Sequence, residues 1–243
     1  MPHGPSPQSD ALRGRGPLPR VTDNLEVVSN LIVTVDGPSG TGKSTVSRAV
    51  ASKVNLPHLD TGAFYRAATL AVIRAGVDPG DAEAVAGVVG GAGLDQEDGV
   101  MSLDGADVSA EIRGPEVTAA VSRVAANSEV RRILVSHQRE WVQRHGERAV
   151  VEGRDIGSVV FPNATLKVFL DARPEVRANR RAVETGEDPH SVMEHLGRRD
   201  HFDSTRAASP LIVPEDAVII DTSDLRFDEV VDRVVQLVRD RTS

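Results

Sequence analysis

The 243-residue sequence contains no cysteine, which excludes disulfide bonds and thiolate metal ligands. A chain without cysteine is compatible with a reducing compartment, and we expect a cytoplasmic protein. No apolar run approaches the roughly 18 residues that a membrane-spanning helix needs, and the N-terminus lacks the apolar stretch of a secretory signal. We therefore expect no association with a membrane.

Lysine is also scarce, occurring only at Lys43, Lys53 and Lys167, and the net charge of the chain is -8. Proteins that bind nucleic acid usually carry a basic domain, so we expect no nucleic-acid partner. An anionic ligand must then be held by a local group of cations. Because arginine supplies nearly all of the positive charge, a single arginine is weak evidence of function in this chain.

The composition changes along the chain at about residue 30. Residues 1–29 are rich in proline and glycine and show no apolar periodicity, which predicts a disordered N-terminal tail. Residues 30–243 contain regular apolar patterns and are long enough to form one large domain.

Short apolar runs alternate with helical patterns over most of this domain, which predicts an α/β fold with a central parallel sheet and helices on both faces. Strands are predicted at Leu31–Val35, Leu56–Leu59, Ala149–Val151, Leu166–Leu170 and Ala217–Ile220. Helices are predicted at Lys43–Val54, about Gly62–Ala75, Pro174–Glu184 and Phe227–Arg239.

The segment from about Asp81 to Arg144 interrupts this alternation. An insertion of this kind between sheet strands predicts a small substrate-binding unit. Its predicted features are a glycine-rich bend at Gly90, Gly91 and Gly93, a turn at Asp104-Gly105, and helices over Pro115–Ala125 and Ser128–Arg144.

The stretch GPSGTGKS, Gly37 to Ser44, matches the phosphate-binding pattern G-x-x-x-x-G-K-[ST] at every position. It follows a predicted strand and begins a predicted helix, as that pattern requires. Backbone N–H groups and the helix N-terminus can then bind phosphate oxygens, while Lys43 reaches the outer phosphates and Ser44 offers a hydroxyl to Mg²⁺. The predicted ATP-binding residues are Gly37, Pro38, Ser39, Gly40, Thr41, Gly42, Lys43, Ser44 and Thr45.

Two other classes of phosphate-loop protein fit the sequence poorly. A switch GTPase would need a base-reading [NT]-K-x-D segment, but Lys167 is followed by Val168 and Phe169, with Asp171 one place too far. A motor ATPase would typically be larger, with an acidic pair at a strand end, whereas this chain has the single Glu152 there.

Three polar segments fall where loops should meet at the carboxyl edge of the sheet, the edge at which such folds bind ligands. Each has an ordinary explanation, respectively a helix cap, a buried ion pair and solvated i,i+4 charge pairs. We interpret the last as an arginine-bearing lid that closes over phosphates. The segments are Asp60–Arg66, Glu152–Asp155 and Gly197–Arg206.

Taken together, these motifs resemble those of the bacterial-type cytidylate kinases, in the nucleoside monophosphate kinase group. The resemblance extends from Leu31 to about Arg239. The matching stretches are, in order, Val35–Lys43, Thr61–Arg66, Glu111–Arg113, Glu152–Pro162, Arg199-Asp200 and Ser209–Leu211.

The resemblance implies a three-layer P-loop kinase fold with a monophosphate-binding insertion over about 61–145 and a short lid over about 185–210. It implies transfer of the γ-phosphoryl group of ATP, with Mg²⁺, to CMP or dCMP in pyrimidine nucleotide metabolism. Because the acceptor is already an anion, no general base is needed, and positioning and charge neutralisation do most of the catalysis. We also expect a monomer.

The resemblance also assigns roles by position. Ser122, Arg131 and Asp155 would read the base, since a carboxylate can accept from the exocyclic amine of cytosine, which uracil lacks. Ser44 would bind Mg²⁺, and Glu152 would do so through water. The implied catalytic residues are Lys43, Arg154, Arg199 and Arg206, and the implied CMP-binding residues are Thr61, Arg66, Ser122, Arg131, Arg154, Asp155, Arg199, Asp203 and Arg206.

Some alternatives stay open at the level of sequence. The chain could phosphorylate another small acceptor, such as UMP or a small hydroxy acid, or it could be a non-catalytic regulator that binds ATP. The motifs do not separate CMP from dCMP. Thr61 stands where the family often has serine, and His201 and Phe202 make the lid less charged than in some relatives.

Overall fold

A computed structural model describes residues 30–205 and 209–242. The predicted tail over 1–29 and Arg206 lie outside these residues. The strands are β1 (Leu31–Asp36), β2 (His58–Asp60), β3 (Leu94–Glu97), β4 (Val100–Leu103), β5 (Ala106–Asp107), β6 (Arg148–Glu152), β7 (Leu166–Asp171) and β8 (Val218–Asp221). The helices are α1 (Lys43–Val54), α2 (Thr61–Arg74), α3 (Ala82–Gly91), α4 (Pro115–Ala126), α5 (Ser128–Arg144), α6 (Pro174–Thr185), α7 (Pro189–Thr205) and α8 (Phe227–Thr242).

Five parallel strands form the central sheet in the order β2-β6-β1-β7-β8, which confirms the predicted α/β class. The chain leaves β1 toward β2 on one side, and later crosses from β6 to β7 on the other side of β1. The carboxyl ends of β1, β2 and β6 come together at this reversal, because Glu152 pairs with Val35 on one side and Asp60 on the other. A doubly wound sheet binds its ligands at such a reversal.

The two faces of the sheet are covered by different helices. Helices α1 and α8 bury valines against one face, where Val50 and Val234 are fully buried. Helix α2 and the inserted segment cover the other face through residues such as Phe64 and Leu134. Helices α6 and α7 pack on each other through a small separate core of Ala178, Ala182, Val192 and Leu196.

The inserted segment contains more regular structure than the sequence predicts. Helix α3 and an antiparallel sheet, β3-β4-β5, precede the two predicted helices. The predicted bend at Gly90 and Gly91 is wrong, because both residues lie in the last turn of α3, and only Gly93 lies in the following link. The predicted turn at Asp104-Gly105 is confirmed, with φ values of 52° and 80° between β4 and β5.

Two single turns complete the order of elements, a 3₁₀ turn over Glu111–Arg113 and a π-helical turn over Ile156–Val160. None of the described helices has the length and apolarity that a membrane crossing requires.

Candidate functional site

The loop between β1 and α1 adopts the conformation that the glycine pattern predicts. Gly37, Gly40 and Gly42 have φ values of 142°, 81° and 87°, a region that side chains with a Cβ rarely adopt. A Cβ on Gly37 would lie 2.0 Å from the carbonyl oxygen of Leu170. The loop can therefore run against β7 and lead directly into the N-terminus of α1.

Lys43 folds back over this loop, and its Nζ donates to the carbonyl oxygen of Pro38 at 2.7 Å. Burial, followed by repulsion from Arg154, lowers the pKa of Lys43 to about 7. A bound polyphosphate would compensate for both effects, since it adds negative charge beside the ammonium group.

Ser44 and Glu152 meet at the start of α1 and the end of β6. The Ser44 hydroxyl donates to Oε2 of Glu152 at 2.8 Å, and His58 Nε2 lies 3.3 Å from the other carboxylate oxygen. Glu152 is 3% exposed. A hydroxyl and a carboxylate placed side by side beneath the phosphate loop are the hard oxygen donors that fit Mg²⁺.

Arg154 reaches from the β6 loop to the phosphate loop. Its guanidinium donates to the carbonyl oxygen of Gly37 at 3.1 Å and forms a short hydrogen bond to the Ser39 hydroxyl. Its Nε lies 3.4 Å from Oδ2 of Asp203. Burial and the nearby Arg199 lower the pKa of Arg154 to about 10. The side chain is therefore fixed between the phosphate loop and helix α7.

The end of helix α7 lies within the predicted lid, about 185–210, and close to this cation. Arg199 is half-buried, and its Nε has no hydrogen-bond partner among the described residues. Burial lowers the pKa of Arg199, and Arg66 adds to this effect, while Asp203 opposes it. Asp203 is buried on the same helix. Arg206, predicted to act beside them, lies outside the described residues.

Two predicted acceptor residues on α2 are engaged by the protein itself. The hydroxyl of Thr61 donates to the carbonyl oxygen of Glu152 at 2.6 Å, which ties the start of α2 to the end of β6. Arg66 donates to the Ile112 carbonyl oxygen at 3.1 Å and to the Thr118 hydroxyl at 3.0 Å. In this state, Arg66 is directed toward the inserted segment.

Two of the three residues predicted to read the base are in direct contact. Arg131 of α5 and Asp155 form a short ion pair, and each side chain is 5% exposed. The guanidinium of Arg131 also lies over the Tyr65 ring, 5.2 Å from its centre. The third residue, Ser122, is half-buried on the neighbouring helix α4.

Sequence reasoning missed two buried residues that join the parts of this site. Arg177 of α6 donates to the carbonyl oxygens of Ala172 and Ser39, both at 3.1 Å, and forms a short ion pair with Asp200 of α7. Nothing separates Arg177 from the other arginines of α6 in the sequence. The second residue is Asp36, which the sequence does mark, because it is the single charge at the end of the apolar run LIVTVD.

The matching family model and the curated relatives name the same family. A family model described as cytidylate kinase matches residues 33–240. A cytidylate kinase of Rhodococcus jostii (strain RHA1) is 48% identical over 223 residues, which cover 88% of this chain and 97% of the relative. A cytidylate kinase of Nocardia farcinica (strain IFM 10152) is 50% identical over 222 residues, 88% of this chain and 95% of the relative.

A weaker likeness extends to a solved structure outside that family. The crystal structure of shikimate kinase from Bacteroides thetaiotaomicron matches with a TM-score of 0.44 and 15% identity, over 86% of this chain and 98% of that chain.

Proposed function

This chain belongs to the cytidylate kinase family, and we propose that it transfers the γ-phosphoryl group of ATP to the 5′-phosphate of CMP or dCMP. The bond between the γ-phosphorus and the β,γ-bridging oxygen of ATP breaks, and a bond from an acceptor phosphate oxygen forms. The products are ADP and CDP or dCDP. The bridging oxygen takes the leaving electron pair, and no proton has to be abstracted from the acceptor.

The donor half of the reaction is supported by the loop from Gly37 to Ser44. Its backbone conformation, the N-terminus of α1 and Lys43 together favour bound polyphosphate. We propose that Mg²⁺ accompanies ATP, with the Ser44 hydroxyl as a ligand and Glu152 acting through water. The ion would supply positive charge to the phosphates during transfer.

The acceptor half is supported by a group of cations that repel one another in the absence of ligand. Burial is the main cause of the lowered pKa values of Lys43, Arg154 and Arg199, and repulsion among these cations adds to it. An acceptor phosphate between these groups would relieve the repulsion and would accept several charge-assisted hydrogen bonds. We assign Arg66, Arg154 and Arg199 to the two phosphates, with Arg206 as a further member on the lid.

Selection of cytosine is assigned to Arg131, Asp155 and Ser122. The carboxylate of Asp155 can accept from the exocyclic amine of cytosine, and Arg131 can donate to the ring carbonyl or N3. Asp203 and Arg199 are assigned to the ribose, and Thr61 to the acceptor side of the cleft. Uracil presents a carbonyl oxygen in place of the amine, and that oxygen would face the Asp155 carboxylate.

One observation carries this proposal, the contact between Arg154 and the phosphate loop at Gly37 and Ser39. A protein that only senses ATP needs no arginine for an acceptor phosphate beside the loop that binds the ATP phosphates. The test is ADP release with ATP and Mg²⁺ in the presence of CMP, dCMP, UMP, AMP or GMP. We expect the highest kcat/KM with CMP or dCMP. Absence of turnover with all five would refute a monophosphate kinase, and a preference for UMP would refute the assignment of the base.

The division of the chain into a folded domain, an acceptor-binding insertion over about 61–145 and a lid over about 185–210 is part of the proposal. We also propose a cytoplasmic monomer that binds neither nucleic acid nor membranes. Light scattering after size exclusion tests the monomer, and a dimer at micromolar concentration would contradict it.

A further inference from the structure

Asp36 ends strand β1 immediately before the phosphate loop, and its side chain is 1% exposed. Its two carboxylate oxygens accept different backbone donors. Oδ1 accepts from the N–H of Ile156 at 2.9 Å, and Oδ2 accepts from the N–H of Gly157 at 2.7 Å. Both donors lie some 120 positions away in the chain, so this contact depends entirely on the fold.

These two donors directly follow Arg154 and Asp155, the residues that the proposed function assigns to the acceptor. Arg154 and Asp155 occupy the loop between β6 and the π-helical turn that begins at Ile156. At the other end of this loop, the N–H of Gly153 donates to the carbonyl oxygen of Val35 at 3.1 Å. The end of β1 therefore holds the loop on both sides of Arg154 and Asp155.

The backbone of the turn lies so close to the sheet that it excludes larger residues. A Cβ on Gly157 would lie 2.9 Å from the hydroxyl of Thr34 and 3.1 Å from Cδ of Lys167. A Cβ on Gly153 would lie 2.6 Å from the hydroxyl of Thr61. These close approaches allow the short Asp36 side chain to reach the N–H groups of Ile156 and Gly157.

Burial of this carboxylate is unfavourable, and it raises the pKa of Asp36 to about 6. The two N–H groups oppose the rise, as does Lys43, while the neighbouring Asp155 adds to it. At neutral pH the group is therefore ionised, and its hydrogen bonds to the turn are charge-assisted. An apolar or amide side chain would avoid the cost of burying a charge. A carboxylate at this position is therefore better explained by a role in placing the turn than by a contribution to stability.

We propose that Asp36 is a positioning residue for acceptor selection, which fixes Asp155 relative to the phosphate loop and thereby sets the preference for CMP over UMP. The inference rests on the proposed function. Asparagine at this position would keep one acceptor oxygen, but its amide group would face a backbone N–H, donor against donor. The turn must then shift, and a displacement of about 1 Å at a reading group is enough to cost about 100-fold in rate.

The test compares Asp36→Asn with Thr34→Val, measured as kcat/KM for CMP and for UMP. Thr34 lies beneath the same turn, and its buried hydroxyl has no hydrogen-bond partner among the described residues. Valine at this position therefore preserves the packing and leaves the two hydrogen bonds of Asp36 in place. We expect the CMP-to-UMP ratio to fall at least about tenfold in Asp36→Asn and to stay within about twofold in Thr34→Val. A purely structural role would lower the amount of active enzyme and leave the ratio unchanged, and that result would overturn the proposal.

Hydrogen exchange of the Ile156 and Gly157 amides provides a second measurement, and its wild-type part needs no variant to fold. In the wild type we expect both amides to exchange as slowly as the amides of β1, and in Asp36→Asn we expect faster exchange. If these two amides of the wild type exchanged as fast as exposed loop amides, their hydrogen bonds to Asp36 would be disproved. A wild type that does not prefer CMP would instead refute the proposed function, a result obtained before any variant is measured.

Discussion

Arg131 and Asp155 form a buried ion pair although they lie 24 residues apart, one on the inserted helix α5 and the other after β6. Both belong to the proposed base-reading set, so they satisfy each other when no base is present. Under the proposed function, a cytosine would share these groups rather than meet two free charges, and each residue would keep the other oriented for the base.

This pair predicts the result of replacing Asp155 by asparagine. The variant loses the acceptor for the cytosine amine, and the CMP-to-UMP ratio of kcat/KM should fall at least about tenfold. ATP affinity should change by much less, because the donor loop is intact. The exposed Asp78, paired with Arg123, provides the control Asp78→Asn, for which the ratio should not change. An unchanged ratio in Asp155→Asn would remove Asp155 from base recognition.

Lys43→Met should lower kcat at least about 100-fold, because the transferring phosphoryl group loses a positioned cation. The fold should remain, since burial already disfavours the charged form of Lys43, as its lowered pKa of about 7 indicates. The control is Lys53→Met on the same helix, where an exposed ammonium pairs with Asp232. A rate near that of the wild type in Lys43→Met, measured by ADP release, would contradict the donor assignment.

Glu152→Gln should raise the Mg²⁺ concentration for half-maximal activity about tenfold while the KM for CMP stays within about twofold. The amide weakens the attraction to a hydrated cation beside Ser44. A matched control exists on α5, where Ser136 donates to Glu140 at 2.8 Å on the surface, the same distance as between Ser44 and Glu152. Equal Mg²⁺ titrations for Glu152→Gln, Glu140→Gln and the wild type would exclude Glu152 from the metal site.

Arg177→Met should lower kcat/KM about tenfold, because it releases Asp200 of α7 and the Ser39 carbonyl oxygen of the phosphate loop at once. Stability should also fall, since the half-buried Asp200 loses its closer partner and keeps only the longer pair to Arg154, at 3.8 Å. Arg173→Met is the control, directly before the same helix, where the arginine forms an exposed pair with Asp224. If both variants had the same kinetics and thermal unfolding, the link that Arg177 makes between the phosphate loop and helix α7 would be disproved.

The raised pKa of Asp36 predicts a particular dependence of stability on pH. Between the pKa of the unfolded chain, near 4, and the folded value of about 6, the folded state binds more protons than the unfolded state. The free energy of unfolding should therefore decrease as pH rises through this window, by up to about 3 kcal/mol from this group. In Asp36→Asn that part of the decrease should disappear. Urea unfolding of both proteins at pH 4.5 and 7 measures this difference. An equal change in the free energy of unfolding between the two pH values in both proteins would contradict the raised pKa of Asp36.

The sequence predicted the parts of the site that depend on local pattern. Gly37 to Ser44 and Glu152 to Asp155 lie where the strand and helix periodicity indicated. Contacts across long separations left no such pattern, and neither the Asp36 clamp nor the Arg177 bridge could be derived from it. The antiparallel strands of the inserted segment are two to four residues long, too short for alternation to be recognised.

Helices α6 and α7 have a consequence for the energetics of closure. They form a hairpin with its own small core, Ala178, Ala182, Val192 and Leu196, separate from the cores beside the sheet. If the proposed lid moves, this hairpin can move as a body that is already folded, so that little chain entropy is lost when substrates bind. The free energy gained from phosphate contacts is then available for affinity and catalysis rather than for ordering a loop.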